Sequence, residues 1–240
     1  MSTILLAYTA AIIVGLAKAG LKGTSVLAVV CLALAHGSKA STGILLPLLL
    51  TGDILAIWYY KRHVKWRYLV KCIPAMFVGV AFATWVGKDL DERSFKVWMA
   101  VIILVIVAIL IWREWKKFEH VKNSWLIAIP LGFAIGFTTM IGNLAGGVAV
   151  LYFLAIGLNK NDVIGTSTWL FLIINLFKLP FHIWVWGTVS FSTFYDNIVL
   201  LPVVILGFVI GLYFVKKFSE QYYRYFLIGV TALGAILILL

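Results

Sequence analysis

The sequence has few charged residues: only 12% of its 240 residues are Asp, Glu, Lys or Arg. Soluble domains carry roughly 25% charged residues, so this composition argues against a soluble globular protein. Acidic residues are especially few, with 9 Asp and Glu against 20 Lys and Arg. Most of the basic residues fall in alternate loops between apolar segments, which is typical of cytoplasmic loops rather than of a nucleic-acid-binding surface. We therefore expect no nucleic-acid partner.

Cysteine is nearly absent as well. Cys31 and Cys72 lie in or at the ends of apolar segments, which indicates inert thiols rather than a disulfide or a metal site. The sequence also lacks the patterns of an intramembrane enzyme, such as Gly-x-Ser-Gly with a distant histidine or a pair of membrane aspartates. We expect no catalytic residue, no metal and no cofactor. The first apolar run begins at Ile4 without a preceding basic region, so we expect no cleaved signal peptide.

What the sequence does contain is apolar residues, at 63% of the chain with a mean hydropathy of +1.06. They form ten segments, at about 4–20, 24–35, 40–60, 68–87, 95–112, 125–141, 145–158, 162–186, 194–215 and 222–240. This pattern predicts an all-α polytopic membrane protein. The second and seventh segments would form helices about 20 Å long, too short for a hydrocarbon core of about 30 Å. We interpret both as parts of broken or re-entrant helices.

Three basic clusters set the predicted orientation in the membrane. They lie at 61–71, 113–122 and 216–224, after the third, fifth and ninth segments, and therefore on one side. The positive-inside rule places that side in the cytoplasm. The loops at 88–96 and 187–193, and both termini, are then predicted to be non-cytoplasmic. The expected localisation is the cell (plasma) membrane, with several passes.

The two halves of the chain resemble each other when one is shifted by 122 residues. The shift places Gly20 on Gly142, Gly43 on Gly165 and Asp53 on Asn175. We predict two membrane repeats of about five helical segments each (8–10 in total), at 1–112 and 125–240, joined by a basic cytoplasmic linker at 113–124. Five segments per repeat is an odd number, so the repeats would be inverted, as in many secondary transporters. Four spanning helices per half, without inversion, is the alternative.

Each repeat begins with a glycine-rich polar patch, KAGLKGTSV (18–26) in the first and TTMIGNLAGGVAV (138–150) in the second. A helix breaks in lipid only where protein or water can satisfy its backbone, and glycine permits the conformations required. Helix N-termini at such a break favour an anion. The alternative is that the small residues only allow close helix packing.

Candidate substrate-binding residues follow from these patches and from a polar stripe in the eighth segment. They are Lys18, Gly20, Lys22, Gly23, Thr24, Ser25, Thr139, Gly142, Asn143, Gly146, Gly147, Thr168, Asn175 and Lys178. Thr168, Asn175, Lys178 and His182 share one helical face. Charged residues at bilayer depth are functional candidates, and Asp53 is the candidate for proton or cation coupling. Lys18 and Lys178 are the first choices for neutralising the charge of the substrate.

Three stretches of this sequence resemble the TauE/SafE sulfite exporter family, also called the toluene sulfonate uptake permeases. They are GLAKAGLKG (15–23), STGILLPLLLTGDILAIWYYKRHVKW (41–66) and GFTTMIGNLAGGVAVLYFLAIGLNKNDVIGTSTWLFLIINLFKLPF (136–181). The resemblance implies a secondary transporter that moves sulfite, thiosulfate or organosulfonates across the cytoplasmic membrane. The expected partners are such an anion and membrane lipid, with the protein a monomer or homodimer. An anion channel and a non-transporting membrane assembly subunit are the alternatives.

Overall fold

The computed structural model describes residues 3–116 and 124–217, together with positions 222, 225, 226, 229, 230, 233 and 237. All regular elements in this described part of the chain are helical. The α-helices are α1 (Thr3–Lys18), α2 (Ser25–His36), α3 (Ser38–Tyr60), α4 (Trp66–Lys88), α5 (Glu92–Lys116), α6 (Trp125–Gly142), α7 (Ala145–Ala155), α8 (Lys160–Trp184), α9 (Phe191–Ile198) and α10 (Leu201–Lys217). Two short 3₁₀ helices cover Lys22–Thr24 and Lys61–His63.

Several of these helices have the length and composition of membrane spans. Within the described residues, four helices are each long and apolar enough to cross a membrane: α3, α4, α6 and α8. Helices α9 and α10 together form a fifth candidate span, which is bent by 58°. Large apolar side chains such as Trp58, Leu126 and Val209 are exposed on the outer surface. In a membrane these side chains contact lipid, so they need not be buried by another protein surface. The protein is thus an all-α, multi-pass membrane protein, as the composition predicted.

The ninth predicted segment differs from expectation, since the structure divides it into α9 and α10. Pro202 occupies the second position of α10. A proline is tolerated in the first turn of a helix but restricts the residue before it, so the preceding helix ends and the chain bends. By contrast, Pro47, Pro74, Pro130 and Pro180 lie inside continuous helices. The tenth segment, the linker residues 117–123 and the end of the third basic cluster fall largely outside the described residues.

The first and third helices begin at matching positions in the two halves. A shift of 122 residues carries the first residue of α1 to that of α6 and the first residue of α3 to that of α8. The two most extensive helix pairs are α1 with α10 and α4 with α6. Each of these pairs joins the first helix of one half to the fourth segment of the other. Glycines allow the close approach, since an added Cβ at Gly207 would lie 2.3 Å from the carbonyl oxygen of Ile12.

Helices α3 and α8 pack against each other between these pairs and run antiparallel. Near the start of α3, Gly43 lies against Thr188, which follows the end of α8. Near the start of α8, Gly165 lies against His63, which follows the end of α3. Midway along both helices, the Nδ2 of Asn175 donates a hydrogen bond to Oδ2 of Asp53 over 2.7 Å. The two residues matched by the internal shift are therefore in direct contact.

Candidate functional site

The first glycine-rich patch breaks the membrane helix between α1 and α2. Helix α1 ends at Lys18, and Gly20 follows with a φ of 130°, which glycine adopts readily. A short 3₁₀ turn over Lys22–Thr24 then leads into α2. The hydroxyl of Thr24 donates to the carbonyl of Leu21 over 2.8 Å, and that of Ser25 donates to the carbonyl of Lys22 over 2.9 Å. The polar side chains of this patch thus satisfy part of the backbone that the break frees.

The second patch breaks the helix between α6 and α7 over two residues, Asn143 and Leu144. Asn143 follows the end of α6 in the left-handed conformation, with a φ of 56°. Asparagine tolerates this conformation better than most residues with a Cβ. The backbone N–H groups of Asn143 and Leu144 return to the carbonyls of Thr139 and Thr138, at 2.9 and 3.1 Å. The asparagine side chain also reaches α3, where Nδ2 donates to the carbonyl oxygen of Thr42 over 3.1 Å.

The two breaks meet in the interior of the protein. An added Cβ at Gly146, in the first turn of α7, would lie 3.1 Å from the carbonyl oxygen of Lys22 and 3.3 Å from Oγ of Ser25. The start of α7 therefore lies against the start of α2. In the described structure, neither helix start carries a side-chain hydrogen bond at its N-cap. Two helix N-termini, each with partial positive charge, consequently face the same region.

A small cavity lies where the breaks meet. Its volume is about 30 Å³, whereas one water needs roughly 10–15 Å³. Ten residues line it: Ala17, Lys18, Lys22, Ser25, Leu49, Thr139, Asn143, Gly146, Phe171 and Asn175. The cavity combines cationic and amide side chains with an apolar wall, as expected of a small-molecule site.

One cation of the cavity is paired with an acid. The Nζ of Lys18 lies 2.6 Å from Oδ1 of Asp53, and both side chains are buried. The other carboxylate oxygen of Asp53 accepts the hydrogen bond from Asn175. Gly52 makes room for the lysine stem, because an added Cβ there would lie 2.6 Å from Cγ of Lys18. Pairing and hydrogen bonding of this kind are what permit buried charges.

A second buried lysine stands behind the cavity wall. Lys178 is fully buried and donates to the carbonyl oxygen of Thr139 over 3.1 Å and to Oδ1 of Asn143. It therefore fixes the amide of Asn143, whose other end is held by Thr42. Lys178 thus contacts the cavity through Thr139 and Asn143, which both line it.

The third lysine, Lys22, has no polar partner among the described residues. Lys22 is 2% exposed, and its Nζ makes no hydrogen bond to any described residue. The ammonium lies 5.2 Å from the centre of the Phe171 ring, on which Lys18 also lies at 5.1 Å. Cation–π attraction offsets only part of the cost of burying an unpaired ammonium. This side chain points to an anionic ligand more directly than any other described side chain.

The predicted site residues divide into two groups. Seven of them line the cavity: Lys18, Lys22, Ser25, Thr139, Asn143, Gly146 and Asn175. Lys178 contacts two of these, and Asp53 contacts two others. The remaining predicted residues are not among the lining residues. Five lie at the breaks or in the packing around them: Gly20, Gly23, Thr24, Gly142 and Gly147. The hydroxyl of Thr168 donates to the carbonyl of Ile164 within α8.

Sequence reasoning missed Phe171 and Gly52. Phe171 lies on the same stripe of α8 as Asn175 and Lys178, but an apolar residue in an apolar helix gives no signal of its own. Gly52 precedes Asp53 directly, and a glycine beside a membrane aspartate could have indicated a close approach. Its actual neighbour, Lys18, is distant in sequence and could be found only in three dimensions.

Comparison with known protein families agrees with this architecture. The sequence model of the family described as sulfite exporter TauE/SafE matches residues 6–238, which is nearly the whole chain. The chain belongs to the TauE/SafE sulfite exporter family. No individual curated protein and no solved structure matches it. As a TauE/SafE protein it is a membrane transporter of the sulfite-exporter type.

Proposed function

We propose that this TauE/SafE protein moves small sulfur-containing anions, of the sulfite, thiosulfate and organosulfonate class, through the cavity by alternating access. The observation that carries the proposal is the buried ammonium of Lys22, which has no hydrogen-bond partner among the described residues and lines the cavity. An anion in the cavity would be that partner. The neighbouring N-termini of α2 and α7 would add further positive potential.

The charges around the cavity support an anionic substrate. Lys18, Lys22 and Lys178 are buried there, and Asp53 is the one buried acid in the described part of the chain. Three ammonium groups against one carboxylate leave a formal excess of two positive charges. An anion with one or two negative charges would compensate this excess, and Asn175 in the same wall has a second amide N–H that can orient its oxygens.

Inverted repeats would supply the movement that alternating access requires. Asp53 and Asn175, which the internal shift pairs, touch each other, and α3 and α8 run antiparallel around them. A two-fold axis in the membrane plane would relate antiparallel equivalent helices and would pass between equivalent residues that touch, so this contact supports inverted repeats. The proposed repeats, 1–112 and 125–240, would rock about this axis with the cavity near the bilayer midplane.

The membrane potential favours export of such an anion. With the cytoplasm about 100 mV negative, each exported negative charge gains roughly 2.3 kcal/mol. That equals nearly two decades of concentration, at about 1.4 kcal/mol per decade. A monoanion could therefore be exported against a gradient by uniport. Uptake would need a coupled proton or cation, for which Asp53 remains the candidate.

Exchange of labelled anion in liposomes tests the proposal. The purified protein should exchange labelled thiosulfate and sulfite in a saturable way, with counterflow that a channel does not produce. Lys22→Met should reduce binding roughly 10- to 100-fold, because a hydrogen bond to a charged group is worth about 1.5–3 kcal/mol. Lys88→Met is the matched control, since this lysine lies at the exposed end of α4.

The combined variant Lys18→Ala/Lys178→Ala tests whether the anion passes through this cavity. It removes the other two cations of the site, so anion exchange should fall below that of either single variant. Exchange at the wild-type rate would show that the anion passes elsewhere. If the Lys22→Met variant exchanges the anion at the wild-type rate, the cavity is not the binding site.

A further inference from the structure

A line of polar side chains continues from the cavity along α8 and leads away from it. Asn175, Lys178 and His182 lie on one face of this helix and are all at most 2% exposed. The Nδ1 of His182 shares a hydrogen bond with Oγ1 of Thr188 over 2.8 Å. Thr188 is only partly buried and lies in the loop between α8 and α9. His182 lies one helical turn beyond Lys178, so the line runs from the cavity towards a loop predicted to be non-cytoplasmic.

His182 is buried in a way that packing alone does not explain. Its Nε2 is buried and has no hydrogen-bond partner in the described part of the chain. The ring of Trp186 packs edge-on against it, with centroids 5.2 Å apart. The charged group beside it on its own helix is Lys178. On the neighbouring elements, Lys39 of α3 lies over the ring of Trp186, and Glu92 of α5 caps the start of α3.

The internal repeat supplies a comparison within the same chain. The positions equivalent to Lys178 and His182 in the first half are Ala56 and Tyr60. Both are buried in α3, which packs against α8 in the same antiparallel pair. A helix at this place in the fold therefore needs neither a lysine nor a histidine. The hydroxyl of Tyr60 donates to the carbonyl of Ala19 over 2.7 Å, so the buried nitrogen without a partner at this position occurs only in the second half of the described chain. This difference favours a function over an architectural requirement.

The excess positive charge at the cavity suggests that the polar residues of α8 conduct protons. Without an anion, three buried ammonium groups face one carboxylate. An unpaired buried charge is costly, and the cost is relieved either by an anion or by loss of a proton. Binding and release of the anion are then linked to uptake and loss of a proton at the lysines. Such a proton needs a path to water, and a buried site provides none unless polar groups carry it.

We propose that His182 carries protons between Thr188 and Lys178, so that movement of the anion is coupled to movement of a proton. The inference rests on the proposed function of the cavity. The hydroxyl of Thr188 takes a proton from water as it gives its own to Nδ1 of His182, and Nε2 then releases a proton towards Lys178. The imidazole is neutral again, in its other tautomer, and proton transfer in the opposite direction restores the first tautomer. The lysine that receives the proton becomes an ammonium and can pair with the arriving anion.

Proton movement and anion movement can be measured separately in liposomes. The liposomes enclose a pH dye, their membrane potential is clamped, and the driving force is a gradient of thiosulfate, which stays fully ionised near neutral pH. Wild-type protein should move protons at a rate that follows the thiosulfate flux. Because a positioned acid–base group typically contributes a factor of 10² or more, His182→Gln should lower the coupled proton flux at least about tenfold. Thiosulfate counterflow, which needs no proton release, should be largely retained.

Two further variants make the test specific. His36→Gln changes an exposed histidine at the end of α2 and should leave both fluxes unchanged. Thr188→Val keeps the shape of the residue but removes the hydroxyl bonded to His182, so it should slow the proton flux and shift its pH dependence. If His182→Gln does not fold, Thr188→Val still tests the proton path.

The possible failures are distinguishable. If wild-type protein carries a net flux of thiosulfate without any proton movement, or if His182→Gln and Thr188→Val move protons at the wild-type rate, the proton path is wrong and the anion site stands. If wild-type protein exchanges no thiosulfate or sulfite at all, the proposed function fails and the proton path fails with it.

Discussion

Lys22 is the residue at which stability and the proposed function conflict. Its ammonium is buried and lacks a polar partner among the described residues, so it destabilises the protein when the cavity is empty. Proteins keep such groups at functional sites because a ligand compensates them. Lys18 differs, since the carboxylate of Asp53 compensates it within the protein.

Replacing Lys22 by methionine should therefore raise the thermal stability of the unliganded protein while weakening anion binding. Methionine fills a similar volume without a charge, and replacing buried charges by apolar side chains is often neutral or stabilising by about 1–4 kcal/mol. The melting temperature in detergent, without and with thiosulfate, measures both effects. The thiosulfate-induced increase should disappear in this variant but not in Lys88→Met. A lower melting temperature without anion would contradict the argument.

Lys18 and Asp53 should behave as an interacting pair. Asp53→Asn or Lys18→Met each leaves one charge unpaired in the interior, which typically costs about 3–5 kcal/mol. The double variant removes both charges and should recover a large part of that loss. A double-mutant cycle on the free energy of unfolding in detergent measures the coupling. Additive single effects would mean that the 2.6 Å contact does not stabilise the fold.

At the scale of elements, close approach between helices depends on glycine at a few contact points. Helix α1 crosses α10 where Gly15 and Gly207 bring the two backbones together. A side chain at either position would press on backbone atoms, which cannot move as a flexible side chain can. Lipid provides no hydrophobic drive between helices, so such packing contributes much of their association.

The variant Gly207→Ala should for that reason destabilise the protein. The added methyl group would lie 2.3 Å from the carbonyl oxygen of Ile12, so α10 must shift away from α1. Overpacking of this kind usually costs about 1–3 kcal/mol. Val209→Ala, on the same helix but 58% exposed, is the control and should change little. Unfolding in detergent followed by circular dichroism measures both, and equal stability of the two variants would refute the packing argument.

At the scale of the whole molecule, the antiparallel pair of α3 and α8 predicts which loops share a side. The turn after α3 lies against the start of α8, and the loop after α8 lies against the start of α3. These two loops are therefore at opposite ends of the helix pair. From the positive-inside rule we predict that the first loop, which contains Lys61, Arg62 and Lys65, faces the cytoplasm.

Labelling of single cysteines tests this orientation. In a background with Cys31→Ser and Cys72→Ala, the variants Arg62→Cys and Ser192→Cys each place a thiol at an exposed position. A membrane-impermeant reagent applied to intact cells should label Ser192→Cys, whereas Arg62→Cys should react only after the membrane is opened. Labelling of both residues from the same side would exclude the antiparallel arrangement across the bilayer.

Much of this protein follows from sequence because bilayer physics constrains it strongly. Apolar length and the need to satisfy every backbone group predicted the helices and the two short segments. Glycine and asparagine predicted where the helices break, and the structure has breaks at Ala19–Leu21 and at Asn143. The sequence analysis did not predict that the ninth segment is divided into two helices, although Pro202 at the start of α10 is a residue that can end the preceding helix.

The sequence by itself determined that the chain is a helical membrane protein, where its helices are interrupted and which polar residues lie within the apolar segments. Only the tertiary structure decided how those residues are partnered: Lys18 with Asp53, Lys178 with Asn143, and Lys22 with no described polar group. The physical reason is the range of the interactions. Hydropathy, caps and helix breaks are set by neighbours along the chain, whereas the partner of a buried charge comes from another helix and depends on how the helices pack.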